Sequence, residues 1–523
     1  MERAKTWMLA VLVVLSLVQS YMLSYSVPGT AVRTPQNYVN TEQMGPESKT
    51  EDVLFPEQMI LHFGNGNHTV LNPGDLPFYS LIMSKLKGRQ FGGFQRTSAE
   101  IVNWLEIRDR NLGIELRLGS GLPVQLLSRM LQLESSDGTF QSDTIDRIWI
   151  FRSAGSEEVR TFFFSTDGSA AYEATQADLT VRDVEDDVGL GEYWTPYKPN
   201  IYGVYLPQQP VEAAEAETNY QTYSPDLLQR NLFFDPGMTR SRKDRTGSQV
   251  YTDGKRTLQV EQDGQWISYT DPAAPLSGAG TGASRTTPAG SISSSVLFVN
   301  QHGGWDGLHQ LEGMTEPRRP DRTPQPGGSG AANGSSAGAD QHFLLFRQYF
   351  RFGENRILPI VPSPEFRFGY IQLTVQQGNV TAYERSLITL SGSPTRKAVR
   401  WLPGGSSLEA AISGYERRSE IRSLYPAVKA YRADEGSIRF TPVWAVRLKD
   451  GTEQTLIGPL AESYDGSDLT RTDLSAAAPT PTPSPTPSPG SSEGLQGPLA
   501  SGSTADGGAA ADPAAGAGKG GSG

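Results

Sequence analysis

The pattern of hydrophobic and polar positions divides the chain into one long apolar run, three stretches able to fold, and polar connectors. Trp7 to Tyr25 reads WMLAVLVVLSLVQSYMLSY, without a formal charge. About 20 helical residues cross a hydrocarbon layer ~30 Å thick, so the run predicts a single N-terminal transmembrane helix, with residues 1–27 as the anchor. Arg3 and Lys5 precede it and no Lys or Arg follows until Arg33, which places the amino terminus in the cytoplasm and the bulk of the chain outside. The rival reading is a cleaved signal peptide with Ser24 and Ser26 before the cut, although such apolar cores usually run only ~7–15 residues. Ser16, Ser20 and Ser24 recur every four residues, beside Gln19. That spacing stacks them on one helical face, where small residues let a second helix approach and a glutamine can bond across. Ser16, Gln19 and Ser20 are therefore candidate contacts to a partner helix. Plain tolerance of polar residues near the outer end of a span accounts for them equally well.

Residues 28–52 are polar and read as a linker. From 53 to 206, MILHF, HTVL, GIELRL, RIWIF and VRTFFF read as strands. A helix between Pro77 and Gly88 places Phe78, Leu81, Ile82 and Leu86 on one face, and a second starts at Pro123 with Leu126, Leu127, Met130 and Leu131. Thr180 with Asp183 forms a capping box that opens a short helix to Val188. From 207 to 391, Asp253-Gly254 and Asp263-Gly264 are hairpin turns around TLQVEQ. Ile292, Val296 and Val299 predict a helix closed by Gly303-Gly304, and FLLFRQYF, YIQLTVQQ and VTAYERSLITL read as strands. Two low-complexity inserts, 273–290 and 317–340, lack the large apolar residues needed to pack. A smaller unit at 394–460 has a helix near Ser407–Gly414, and its IRFTPVWAVRL and TLIG runs form a hairpin. Residues 461–523 are a disordered tail rich in Pro, Gly, Ser and Ala. Helices and strands alternate without a strict βαβ rhythm, so the expected class is α+β: three extracytoplasmic mixed α/β domains with antiparallel sheets.

Composition narrows the partners. Lys plus Arg total 46 against 57 Asp plus Glu, a net charge of −11, which offers no general footprint for nucleic acid. Cysteine is absent, so disulfides, thiolate metal sites and cysteine nucleophiles are excluded. The 56 Gly and 36 Pro fit folded domains with loose segments attached.

Candidate chemistry is sparse. The five histidines, His62, His68, His302, His309 and His342, include no His-Glu-x-x-His arrangement, and two spaced ligands alone do not make a metal site. Gly254-Lys255 lacks the earlier glycine and the Ser/Thr of a phosphate loop, and no Gly-x-Ser-x-Gly elbow occurs. Asp183, Glu185, Asp186 and Asp187 cluster on the short helix after Thr180, where acids suit the helix dipole. No metal, cofactor or catalytic residue is expected. The aromatic runs FLLFRQYF and TPVWAV are core strands or docking surfaces, with core favoured.

The order of the blocks adds a resemblance. VLVVLSLVQSYMLSYS is followed by LFPEQMILHFG, IWIFRSAGSEEVRTFFF, ADLTVRDVEDDVG, LLQRNLFFDPGMTR and YTDGKRTLQV. Then come FVNQHGGW, FGYIQLTVQQGNVTAYERS and RFTPVWAVRLKDG. This series, across roughly residues 1–460, resembles the YycH (WalH) family of accessory proteins of an essential two-component system in Gram-positive bacteria. The resemblance implies a single-pass regulator, not an enzyme, with three α+β domains outside the membrane. It implies association with a YycI-like membrane protein and a YycG/WalK-like sensor histidine kinase, and control of cell-wall metabolism. The family's transmembrane helices take part in the kinase contact, which supports Ser16, Gln19 and Ser20, although no family motif assigns them. The family has no established catalytic residues, so none carries over. The inserts and the tail depart from the family pattern. A passive cell-wall or ligand-binding module is the alternative function, and a wall hydrolase using an unrecognised acid pair is a further one.

Overall fold

In the computed structural model, the described residues are Arg3, Lys5, Ser16 and 42–460, except 101, 136, 154–156, 244–247, 262–263, 275–286, 316–340, 353–355, 364, 393 and 435. Successive strand residues face opposite ways, and the first strand, β1 (Gln58–Phe63), shows the consequence. Met59 and Leu61 join the main apolar cluster, while Ile60 packs with Val70, Tyr197 and Tyr205.

Nine further strands complete a ten-stranded sheet: β2 (His68–Leu71), β3 (Gln90–Ser98), β4 (Leu112–Pro123), β5 (Gln132–Glu134), β6 (Thr144–Arg152), β7 (Val159–Ser165), β8 (Ala170–Ala177), β9 (Tyr197–Pro199) and β10 (Tyr205–Pro207). Their order is β10-β9-β2-β1-β4-β6-β7-β8-β3-β5. One apolar face, with Leu116, Ile148, Ile150 and Phe163, packs with residues of the helices Phe78–Lys87, Val124–Met130 and Val181–Gly189. The other face carries Trp149, Phe151, Phe162 and Phe164 under Trp104 and Ile107 of the helix Trp104–Arg110. The capping box expected at Thr180 and Asp183 is present, and Pro77, Gly88 and Pro123 sit at helix ends as the sequence implies.

The second sheet contains β11 (Val211–Thr222), β12 (Arg240–Lys243), β13 (Gln249–Thr252), β14 (Thr257–Glu261), β15 (Trp266–Thr270), β16 (His309–Thr315), β17 (Gln341–Arg351), β18 (Ile357–Val361), β19 (Tyr370–Gln376), β20 (Asn379–Ser386), β21 (Ile388–Leu390), β22 (Arg396–Leu402), β23 (Ile421–Arg432), β24 (Ser437–Leu448) and β25 (Glu453–Ile457). The main path runs β12-β13-β14-β15-β20-β19-β17-β18-β23-β24-β11-β21, with β16 on β17, β22 on β11 and β25 on β24. The helix Pro288–Gln301 lies on β17, β19 and β20. Its Ile292, Val296 and Val299 are buried and Thr287 caps its start. The helix Gly405–Ser413 buries Leu408 and Ile412 with Trp444, Val446 and Leu206.

The architecture is α+β with mainly antiparallel sheets. Parallel pairing occurs at β3–β5 and β18–β23. The expected insert 273–290 overlaps an ordered element, because Pro288, Ala289 and Gly290 form the first turn of a helix and Ala289 is buried. The insert 317–340 and the tail 461–523 lie outside the described residues. β11 pairs with β22 and β24, so the stretches 207–391 and 394–460 share one hydrogen-bonded sheet. Among the described residues no helix is long and apolar enough to cross a membrane; of Trp7–Tyr25 only Ser16 is described.

The beginning of the described chain is stitched to the second half before it enters the first sheet. Met44 and Gly45 donate to the Gly303 carbonyl, and Trp305 N donates to Pro46 O at 2.9 Å. Gly304 has φ +71°, and a Cβ there would lie 2.1 Å from Gly45 O. Only glycine fits that crossing.

Candidate functional site

The two sheets meet over buried charge. Glu57 lies just before β1, Glu312 on β16, Arg347 on β17, Arg447 on β24 and Glu453 on β25. Arg447 donates through Nη1 to Glu57 Oε2 at 3.0 Å and through Nη2 to Glu312 Oε1 at 2.9 Å. Arg347 donates through Nε to the other Glu312 oxygen at 2.8 Å and lies 2.7 Å from Glu453 Oε2. Ser423 donates to Glu57, Tyr425 to Glu453, and Tyr349 to Gln310, whose amide donates to Phe55 O. The side chains of both arginines and all three glutamates are buried.

Three carboxylates thus face two guanidiniums. Burial pushes the Glu453 carboxyl up against the pull of Arg347. Burial acts on Glu312 as well, but Arg347 and Arg447 together outweigh it and hold that carboxyl below its ordinary value. A cavity of about 20 Å³ adjoins the cluster, lined by Glu57, Asn72, Gln310, Tyr349, Arg347 and Arg447 among others, which is room for about one water. The cluster joins the two sheets, since Arg447 on the second holds Glu57 at the start of the first. Around it, Gln58 Nε2 donates to Leu424 O at 2.8 Å, Ser120 Oγ to Glu312 O at 3.1 Å and Arg422 to Asp146 at 3.0 Å.

On the inner strands of the first sheet, His62 Nδ1 and His68 Nδ1 lie 2.9 Å apart. One must donate and the other accept, so the pair holds a single proton between those nitrogens. His62 Nε2 is 3.3 Å from Glu115 Oε2 without an aligned hydrogen bond. Burial, together with His62 and Arg108, lowers His68 to about 4, and burial lowers His62 in spite of Glu115. His302 pairs with Asn231, His342 with Ser291 and His309 with Gly307 O. Burial takes His302 to about 3. Among the described residues no group of three His, Asp or Glu side chains is placed to hold a metal.

The acidic helix is bound up with neighbouring cations. Asp187 pairs with Lys85, Asp183 with Arg89, Glu185 with Arg152 and Asp186 with Arg182. FLLFRQYF and TPVWAV are interior strands, with Leu344, Phe346, Trp444 and Val446 buried. Ser16 is helical and exposed, whereas Gln19 and Ser20 lie outside the described residues. The joint between the sheets was not visible in sequence, since Glu57 and Arg447 are 390 positions apart. The only local signal is a buried-side arginine within a largely apolar run, Arg347 in FLLFRQYF and Arg447 in TPVWAVRL.

Comparison with known proteins supplies the family. The solved structure of YycH from Bacillus subtilis superposes with a TM-score of 0.58 at 16% identity, covering 80% of this chain and 99% of that one. An uncharacterized protein from Eubacterium rectale gives only 0.29 at 9% identity, over 50% of this chain and 88% of that one. In sequence, the two-component system WalR/WalK regulatory protein YycH of Bacillus subtilis (strain 168) is 20% identical over 476 residues, 86% of this chain and 94% of the relative. The model of the YycH protein N-terminal domain matches residues 2–190 and that of its C-terminal domain matches residues 202–317. Together they span more than half of the 523 residues in the expected order, and the chain belongs to the YycH family.

Proposed function

We propose that this chain is a membrane-anchored, extracytoplasmic regulator that binds a YycG/WalK-like sensor histidine kinase together with a YycI-like partner and so adjusts cell-wall metabolism. The observation that carries the reading is the near end-to-end alignment with a WalR/WalK regulatory protein, over 94% of that relative. The uncharged run Trp7–Tyr25 serves as the anchor, and Ser16, Gln19 and Ser20 face a partner helix. Outside, residues 53–206, 207–391 and 394–460 act as three units, the last two sharing a sheet. Regulation of this kind requires the outer portion to bind one kinase state more tightly than the other, because equal affinity for both shifts nothing.

The test is co-purification of the full-length protein with the host's sensor kinase from detergent-solubilised membranes, beside a variant carrying Ser16→Leu, Gln19→Leu and Ser20→Leu. Capture by the wild type and loss in the variant supports the regulator and puts a contact on the anchor. Capture by both keeps the regulator and moves recognition to the outer portion. No capture by either, with both proteins intact and inserted, rejects the kinase partner and favours a passive cell-wall binding module.

A further inference from the structure

Just after the helix Pro225–Leu232, the chain exposes two large apolar side chains on a fixed loop. Phe234 is 60% and Met238 73% exposed. The loop is built, not slack. Pro236–Met238 is a 3-10 turn whose start is capped by Asp235, which accepts from Gly237 N. Buried Gln229 donates through its amide to Thr239 Oγ1 at 2.6 Å and Pro236 O at 3.2 Å, and Thr239 closes back on Pro236 O at 2.7 Å. The loop runs directly into β12, whose Arg240, Ser241, Arg242 and Lys243 are all exposed at the edge of the second sheet. Arg240, Arg242 and Lys243 have no carboxylate partner among the described residues. The stretch from Phe234 to Lys243 therefore carries three positive charges and one negative on a molecule of net charge −11.

Its place in the fold matters as much as its composition. Asn231, three residues before Phe234, bonds to His302. The neighbouring Gly303 carbonyl receives Met44 and Gly45, close to residue 42, where the continuous described stretch begins. Only the sixteen residues 28–43 separate Met44 from the anchor segment, a contour of at most about 58 Å. An apolar tip flanked by cations, fixed near the point of attachment, has the chemistry of an interfacial membrane contact: apolar side chains enter the headgroup boundary while Lys and Arg attract acidic lipids.

We infer that Phe234 and Met238, with Arg240, Arg242 and Lys243, seat the outer portion on the surface of a bilayer containing acidic lipids. This rests on reading Trp7–Tyr25 as the anchor. The contact fixes one side of the molecule toward the membrane and sets the height at which the remaining surface meets a membrane-bound partner.

The absence of cysteine makes the test clean. A single Met238→Cys is labelled with a polarity-sensitive fluorophore in the full-length protein and reconstituted into vesicles of phosphatidylcholine, with or without phosphatidylglycerol, containing a nitroxide-bearing lipid as quencher. Leu105→Cys, at an exposed position on the helix Trp104–Arg110 of the first sheet, is the reference label. Several-fold stronger quenching at 238 than at 105 on acidic vesicles, lost with Arg240→Glu, Arg242→Glu and Lys243→Glu together, supports the contact. These positions are all exposed, and an unchanged near-ultraviolet dichroism spectrum confirms that the variant is folded. Equal quenching at both labels in protein that stays with the vesicles through an alkaline carbonate wash overturns the contact while the anchor stands. Quenching that survives the charge reversal overturns the role of the cations. Shielding of position 238 from aqueous iodide without lipid quenching assigns the patch to a protein partner and overturns the membrane. Release of the protein by carbonate rejects the anchor reading, and this inference falls with it.

Discussion

Replacing Arg447 by methionine keeps much of the side-chain volume but leaves Glu57 and Glu312 facing each other in the interior. Removing one partner of a buried ion pair typically costs ~3–5 kcal/mol, so Arg447→Met lowers the urea midpoint of the full chain sharply; a change under ~1 kcal/mol would contradict the joint described at Glu57 and Glu312. The histidines set a second expectation. An imidazole whose folded pKa lies below its unfolded value of ~6.5 binds fewer protons folded than unfolded. Its neutral form is fully compatible with the fold above that value, and stability is lost as pH falls toward about 4 for His68 and about 3 for His302. The urea midpoint therefore falls between pH 7 and pH 5, and His68→Gln makes that dependence shallower; an unchanged slope would place His68 in water. What sequence conveyed at this scale was residue type without partner. The histidines showed only that they lack a metal-binding motif, and the arginines in largely apolar runs gave no hint of glutamates 35 to 390 positions away, because ion pairing across a fold leaves no spacing.

Helix punctuation was the most legible feature of the elements, because caps act over three or four residues. Thr180 accepts from Asp183 N while Asp183 accepts from Thr180 N. Thr180→Ala removes half of that exchange and costs ~1 kcal/mol, measurable by thermal unfolding. Thr180→Ser should restore the loss, and an alanine variant equal to wild type would assign the end of this helix wholly to packing. Hairpins with Gly at positive φ were equally local: Gly254 (φ +90°) and Gly378 (φ +79°) turn β13 into β14 and β19 into β20. β11 shows why other elements were missed. VEAAEAETNYQT is rich in Ala and Glu, which favour helix in isolation, yet the segment is a twelve-residue strand. Its hydrogen bonds go to β22, β24 and β21, and pairing with distant strands outweighs its local preference.

For the whole molecule, burial across the junction favours a single cooperative transition. Val204 and Leu206, at the end of the first sheet's sequence, pack with Leu408, Leu424 and Trp444, and the charged joint lies between the sheets. Tryptophan fluorescence, with Trp149 on one sheet and Trp266 and Trp444 on the other, should follow the same urea curve as far-ultraviolet dichroism. Two separated transitions would mean that the sheets unfold independently. The α+β class followed from the interspersed order of helices and strands, and the burial of FLLFRQYF and TPVWAV agrees with the core reading that their apolar residues favoured over a docking surface. The union of 207–391 with 394–460 in one sheet was not readable, because it depends on β11 and β18 pairing with strands far along the chain.

The stitching of residues 43–48 onto Asn300–Trp305 has a mechanical consequence. Asn300 alone accepts from Gln43 and Ser48 and donates back to Ser48, and these bonds precede the chain's passage into the first sheet. Tension applied through the amino end is therefore borne at Asn300–Trp305 on the second sheet, although the residues being pulled belong in sequence to the first. The first sheet, including its paired acidic helix, follows such a displacement through the chain at 49–57, through Glu57 on Arg447 and Ser423, and through bonds such as Gln58 to Leu424 and Arg422 to Asp146. A pull on the amino end thus reaches the second sheet before the first, although the first sheet comes earlier in the sequence.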